Sequence, residues 1–120
     1  MFNTHIEIMG DLAIIECEGR IVRSEAAFQL RDAVTLQGSA RLIVLDLSEV
    51  SAIEAGGLGM LVFLERWAHA RDIRLKLFNP SQFVRERLER ASMLRPFEMA
   101  TLDELMALLR RGEGRETLAA

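Results

Sequence analysis

Leu42-Ile43-Val44-Leu45-Asp46-Leu47-Ser48-Glu49-Val50-Ser51-Ala52-Ile53-Glu54-Ala55-Gly56-Gly57-Leu58-Gly59 passes from an apolar strand pattern into a helix start. Its first four residues form a continuous apolar run flanked by polar ones. Such a run predicts a strand buried on both faces, the kind found in a parallel sheet covered by helices. The stretch closes in a glycine-rich turn, Ala55 to Gly59, that opens a helix over 57–71.

On either side of this stretch the same alternation of strands and helices repeats. Ile6 and Ile8 alternate with polar residues in the segment from His5 to Met9, Gly10-Asp11 is a turn signal, and Leu12 to Glu18 carries Ile14, Ile15 and Cys17. This predicts two strands joined tightly, the second ending at Gly19. Ser24 is a good N-cap for a helix over 25–37, with Ala27, Leu30 and Ala33 or Val34 at helical spacing and Gly38 as its stop. Ile73, Leu75 and Leu77 alternate with Arg74 and Lys76, giving another strand. Pro80 suits the first position of a helix, whose buried face would be Phe83, Val84, Leu88 and Ala91. Pro96 halts that helix, and Phe97 to Met99 suits a short edge strand. Thr101 with Glu104 matches a capping box before Leu105, Met106, Leu108 and Leu109. From about Gly112 the sequence reads as a frayed polar tail. The expected fold is therefore α/β: one domain over 1–111, with a mixed, mostly parallel sheet of about five strands and about four helices, and a flexible tail over 112–120.

Composition excludes several function classes. Half of the residues are apolar, enough to build a core without disulfide or metal. Fifteen basic against 18 acidic residues leave a net charge of −3, which argues against nucleic acid as the main partner. The arginines of the C-terminal half are interleaved with Glu86, Glu89, Asp103 and Glu104, as on a solvated mixed surface. Cys17 is the one cysteine and sits in an apolar strand pattern, as a buried small hydrophobe does. No basic stretch followed by an apolar run marks a signal peptide. No apolar segment approaches the ~18 residues of a membrane span. The expected compartment is the cytoplasm.

Catalytic chemistry is equally sparse. His5 and His69 are the two histidines, there is no tyrosine, and no HExxH, CxxC or EF-hand pattern occurs. Glu65 and His69 are four apart on one helix, a spacing that suits metal binding but more often belongs to a solvated face. Asp46 ends the buried strand where ligands sit in α/β sheets. It suits a catalytic acid or Mg²⁺ ligand, but with no second acid paired to it the favoured role is accepting backbone N–H bonds at the strand end. The turn at Ala55 to Gly59 lacks the Lys and Ser/Thr of a phosphate loop and the GxGxxG spacing, so a tight turn with close backbone approach is the better reading. No enzyme activity and no cofactor are expected.

The 42–59 stretch resembles the signature of the STAS family: an apolar strand ending in Asp-Leu-Ser (Asp46-Leu47-Ser48), then a short spacer, then Asp-Ser-Ser-Gly-Leu-Gly opening a helix. Asp72 to Leu77, Phe83 to Leu94 and Phe97 to Leu105 are similar to the family's following strand, helix and closing segment. The likeness spans about residues 5–110. Family members are bacterial anti-sigma-factor antagonists, stressosome components, and subunits or tails of transporters, and they act as switches rather than catalysts. Many are turned off by phosphorylation of the second serine of that signature. In this register Glu54 stands for the Asp, Ala55 for the first Ser and Gly56 for the phosphoacceptor, so the hydroxyl is lost. Glu54 would stabilise the positive end of the helix or imitate part of the absent phosphate. Ser48 and Ser51 are the nearby hydroxyls.

The resemblance implies a protein-binding role, with docking through the loop and helix start over 51–62 by Ser51, Glu54, Ala55, Gly56, Gly57, Leu58 and Val62. A helical wheel places Met60, Leu61, Leu64, Trp67 and Ala68 against the sheet. Leu58, Val62, Glu65 and His69 fall on the opposite, outward stripe. The expected partner is an anti-sigma factor or kinase-like regulator; a homodimer is compatible with the reading, while nucleic acid and direct membrane insertion are not expected. The alternative is a STAS subunit of a membrane transporter or of a stressosome-like sensory assembly.

Overall fold

The computed structural model describes residues 1–91 and 97–119, with side chains through Arg111. The elements run β1 (Phe2–Met9), β2 (Leu12–Ile21), α1 (Ser24–Thr35), β3 (Leu42–Ile53), α2 (Ala55–Ala70), β4 (Arg74–Phe78), α3 (Gln82–Ala91), β5 (Met99–Ala100) and α4 (Leu102–Ala119). The sheet keeps the order of the chain, β1-β2-β3-β4-β5. Among the described residues only the β1–β2 pair is antiparallel, so the expected mixed, mostly parallel sheet with four helices is what forms.

That order determines where the helices lie. Each parallel crossover steps to the next strand in the same direction, and right-handed crossovers then stack α1, α2 and α3 on one face. The main core reflects this, with Ile15, Cys17, Ile43, Leu45, Leu75 and Leu77 of the sheet meeting Leu30, Val34, Leu61, Leu64, Val84 and Leu88 of these three helices. Among the described elements α4 covers the other face, laying Leu105, Leu108 and Leu109 on Leu12, Ile14 and Val44. Ile43, Val44 and Leu45 are all fully buried, as the unbroken apolar run demanded.

Several boundaries differ from the sequence reading, each for a local reason. Gly19 does not end β2. It sits inside the strand at φ 109° because its position leaves no room for a Cβ, which would lie 2.0 Å from the Met1 carbonyl oxygen. β3 extends far beyond Leu45, and two register shifts against β2, between Glu16 and Glu18 and between Gly19 and Arg20, break the period-two pattern there. Arg23, in extended conformation, is the N-cap of α1, and Ser24 is already helical. In α3 the cap is made by Ser81, whose Oγ accepts the Val84 N–H at 3.2 Å, so Pro80 lies outside the helix. Phe83 and Ala91 are exposed, and only Val84 and Leu88 face the core. The capping box at α4 forms: the Glu104 N–H donates to Thr101 Oγ1 at 3.1 Å. The α4 backbone stays helical through 112–119, where the sequence suggested a tail. Pro96 lies outside the described residues.

Candidate functional site

The C-terminal ends of β2, β3 and β4 converge at one rim of the sheet, and the 46–59 stretch occupies it. Asp46 leaves the buried part of β3 half-covered. Its Oδ1 accepts the Ser48 backbone N–H at 2.9 Å and the Ser48 hydroxyl at 2.5 Å. Ser48 Oγ in turn accepts from Asn79 Nδ2 at 3.2 Å, so β3 and the end of β4 are tied together there. Asn79 holds φ 51°, a left-handed conformation that asparagine tolerates better than most residues. Asp46 thus acts as a junction acceptor, and Ser48 is committed to the same network.

Beyond Ser48, the extra residues in β3 turn the strand toward α2. Ser51 is exposed and its Oγ donates to the Gly19 carbonyl at 3.4 Å. Glu54 is the N-cap residue of α2, with extended backbone and no side-chain capping bond. Its own N–H donates to the Ile21 carbonyl at 3.1 Å, which fixes the turn against the end of β2. Glu54, Ala55 and Gly56 are exposed. Gly57 is not: it is buried, and a Cβ on it would lie 2.7 Å from Ile21 Cγ2 and 2.9 Å from Ile53 Cγ1. Gly57 is therefore the glycine that lets α2 close onto the sheet, and its neighbour Gly56 has no atom within 4 Å of its Cβ position.

The side of α2 that faces the sheet is the one the helical wheel gives, but the stripe opposite it is not wholly outward. Gly57, Leu61, Leu64 and Ala68 form the buried line, with Met60 and Trp67 packed at its margin. Leu58 is half-buried and packs on the same core, while Val62 and Glu65 are also half-covered and His69 is exposed. The outermost ridge is Gly56, Gly59, Phe63, Arg66 and Ala70, on which Phe63 is half exposed. The sequence reading missed Phe63. Its spacing from the exposed glycines, i+4 and i+7, is the signal that could have found it.

Of the reactive groups, Cys17 is buried and its thiol is pushed up to about 12, first by loss of solvent and then by the negative charge of Asp46. A thiol held so far above neutrality is protonated and unreactive. Its Sγ lies 3.8 Å from the Ile15 carbonyl oxygen. Among the described residues, no group of three or more His, Cys, Asp or Glu is placed to hold a metal ion. No described helix is long and apolar enough to cross a membrane.

A family model described as "Mlab, STAS domain" matches residues 5–110. This chain belongs to the STAS family. Solved structures agree on the fold. The Bacillus anti-sigma factor antagonist SpoIIAA in its unphosphorylated form superposes on this STAS domain with a TM-score of 0.72 at 23% identity, covering 90% of this chain and 96% of that one. An anti-sigma factor antagonist from Mycobacterium paratuberculosis gives 0.73 at 18%, covering 92% and 95%. A putative anti-sigma factor antagonist from Thermotoga maritima gives 0.70 at 23%, covering 89% and 94%. No curated protein matches the sequence. STAS domains are typically regulatory rather than enzymatic.

Proposed function

We propose that this STAS domain is a non-catalytic, cytoplasmic protein-binding module that docks on a regulatory partner through the turn and helix start over 51–62. The observation that carries the reading is the exposed turn Glu54-Ala55-Gly56, fixed to a rigid sheet end by the Ile21 hydrogen bond and the tight seat of Gly57. A preorganised, exposed turn can be recognised without an ordering cost. Gly56 stands where the family's phosphoacceptor serine would be, and it has no hydroxyl to modify. Docking is then permanent, or is regulated elsewhere than at this residue. The partner of this reading is an anti-sigma factor or kinase-like regulator.

A second reading, a STAS subunit within a membrane-transport or multi-protein sensory assembly, draws on the same glycine. A subunit held permanently in an assembly needs no phosphorylatable hydroxyl at its interface.

Affinity capture from native lysate followed by mass spectrometry tests both. Ala55→Arg and Gly56→Arg place bulk and charge on the exposed turn without touching the core. Each should weaken capture at least tenfold while leaving the unfolding midpoint nearly unchanged. Full capture by both variants would overturn docking at this turn. A kinase-like regulator among the captured proteins favours the first reading, and a transport ATPase or scaffold favours the second.

A further inference from the structure

Beside the docking turn lies a feature that neither the sequence pattern nor the family assignment accounts for. An open groove of about 570 Å³ runs between the end of β2 and the start of α1. Phe2 and Val22 contribute its apolar floor, while Arg20, Arg23, Glu25 and Gln29 supply polar groups. Arg20 and Arg23 are exposed, and neither guanidinium has a hydrogen-bond or ion-pair partner among the described residues. Two arginines set against the one carboxylate of Glu25 leave the groove basic on a chain whose net charge is −3. A local excess of this kind selects partners of opposite sign.

The groove is continuous with the docking turn. Arg20 stands opposite Ala52 in the β2–β3 register, and the next pair is Ile21 with Ile53. Ile21 then accepts the Glu54 N–H and seats Gly57. One strand end therefore builds the groove wall on one side and holds the turn on the other. Arg23 is the N-cap residue of α1, and no side-chain bond caps that twelve-residue helix. Its positive end adds to the field of the two arginines.

We infer that the partner docking at the 51–62 turn carries an acidic segment, rich in Asp or Glu, that lies in this groove with its carboxylates on Arg20 and Arg23. The inference rests on the docking reading above for the source of the segment. The charge is presented by guanidiniums, which stay ionised throughout the usable pH range and pair carboxylates in a two-pronged geometry. The apolar floor suits intervening aliphatic side chains of the same segment.

The test has two arms. In the first, the isotope-labelled protein is titrated by NMR with a short capped peptide alternating Glu and Leu, with its Gln/Leu and Lys/Leu counterparts, and with inorganic phosphate. The Glu peptide should shift the amides of Arg20, Val22 and Arg23 through Ala26. The shifts should fade as salt is raised from ~50 to ~300 mM and vanish in Arg20→Glu/Arg23→Glu, whose folding is unchanged because both positions are exposed. Equal shifts from the Gln peptide, from the Lys peptide or from phosphate alone, or none from the Glu peptide, would overturn the inference. In the second arm, the same double variant is used in capture. It should weaken partner binding about tenfold and flatten its salt dependence. Capture that is lost in Gly56→Arg yet intact and equally salt-dependent in the arginine variant would leave the docking turn standing and remove the groove. Loss of neither would remove both.

Discussion

Two adjacent glycines make opposite demands on this chain. At Gly57 a methyl group would press on the buried side chains of Ile21 and Ile53 from under 3 Å. Gly57→Ala should lower stability by about 1–3 kcal/mol, as overpacking does. At Gly56 the added methyl meets nothing, and replacing glycine in a helix removes a backbone-entropy penalty. Gly56→Ala should be neutral or stabilising by up to about 1 kcal/mol. Denaturant midpoints of the two variants, measured side by side, check this, and equal midpoints would contradict it. The sequence alone shows two neighbouring glycines and no means to separate them. Only the approach of Ile21, 36 positions away in the chain, tells which one is structural. Arg20 and Arg23 were invisible as a pair for a similar reason: strand and helix ends bring them to one groove that no spacing rule describes.

Among the elements, those with a clean period were the readable ones. The apolar run of β3, the alternation of β4 and the capping box of α4 each follow from local rules, and all three formed. The second half of β3 was not legible, because bulges interrupt the alternation over Ser48, Glu49 and Ser51. On α2 the wheel gives the core-facing residues and fails at Leu58, which packs on the core because the close seat of Gly57 draws the first turn against the sheet. An ion pair fastens α4 to the sheet. Lys76, nearly covered on the sheet, pairs with Glu104 at 2.7 Å. The Lys76 hydrogen bond, set against a smaller opposing effect of desolvation, holds the Glu104 carboxyl below its ordinary value of 4.5, and Thr101 adds to the lowering. A carboxylate whose folded pKa is depressed contributes stability that is full above 4.5 and disappears as pH falls through the folded value. Glu104→Gln should therefore be less stable than the parent at neutral pH, with the gap closing in acid. Unfolding midpoints taken from pH 7 down into the acid range check it, and a gap independent of pH would assign the loss to packing instead.

For the whole molecule, one continuous core joins the sheet to three helices, and Trp67 packs at its edge. Unfolding should then be a single transition in which tryptophan fluorescence and far-ultraviolet dichroism coincide. Leu45→Ala removes a fully buried side chain at the centre of that core and should cost about 2–5 kcal/mol in both signals alike. Separation of the two curves would mean that the helical layer melts apart from the sheet. The ordering of the strands carries a further consequence, for biosynthesis. Every strand lies next to the one made just before it. A nascent chain leaving the ribosome can therefore lay each new strand onto a finished neighbour, with no early edge left waiting for a late partner, and this shortens the interval in which sticky backbone is open to other chains.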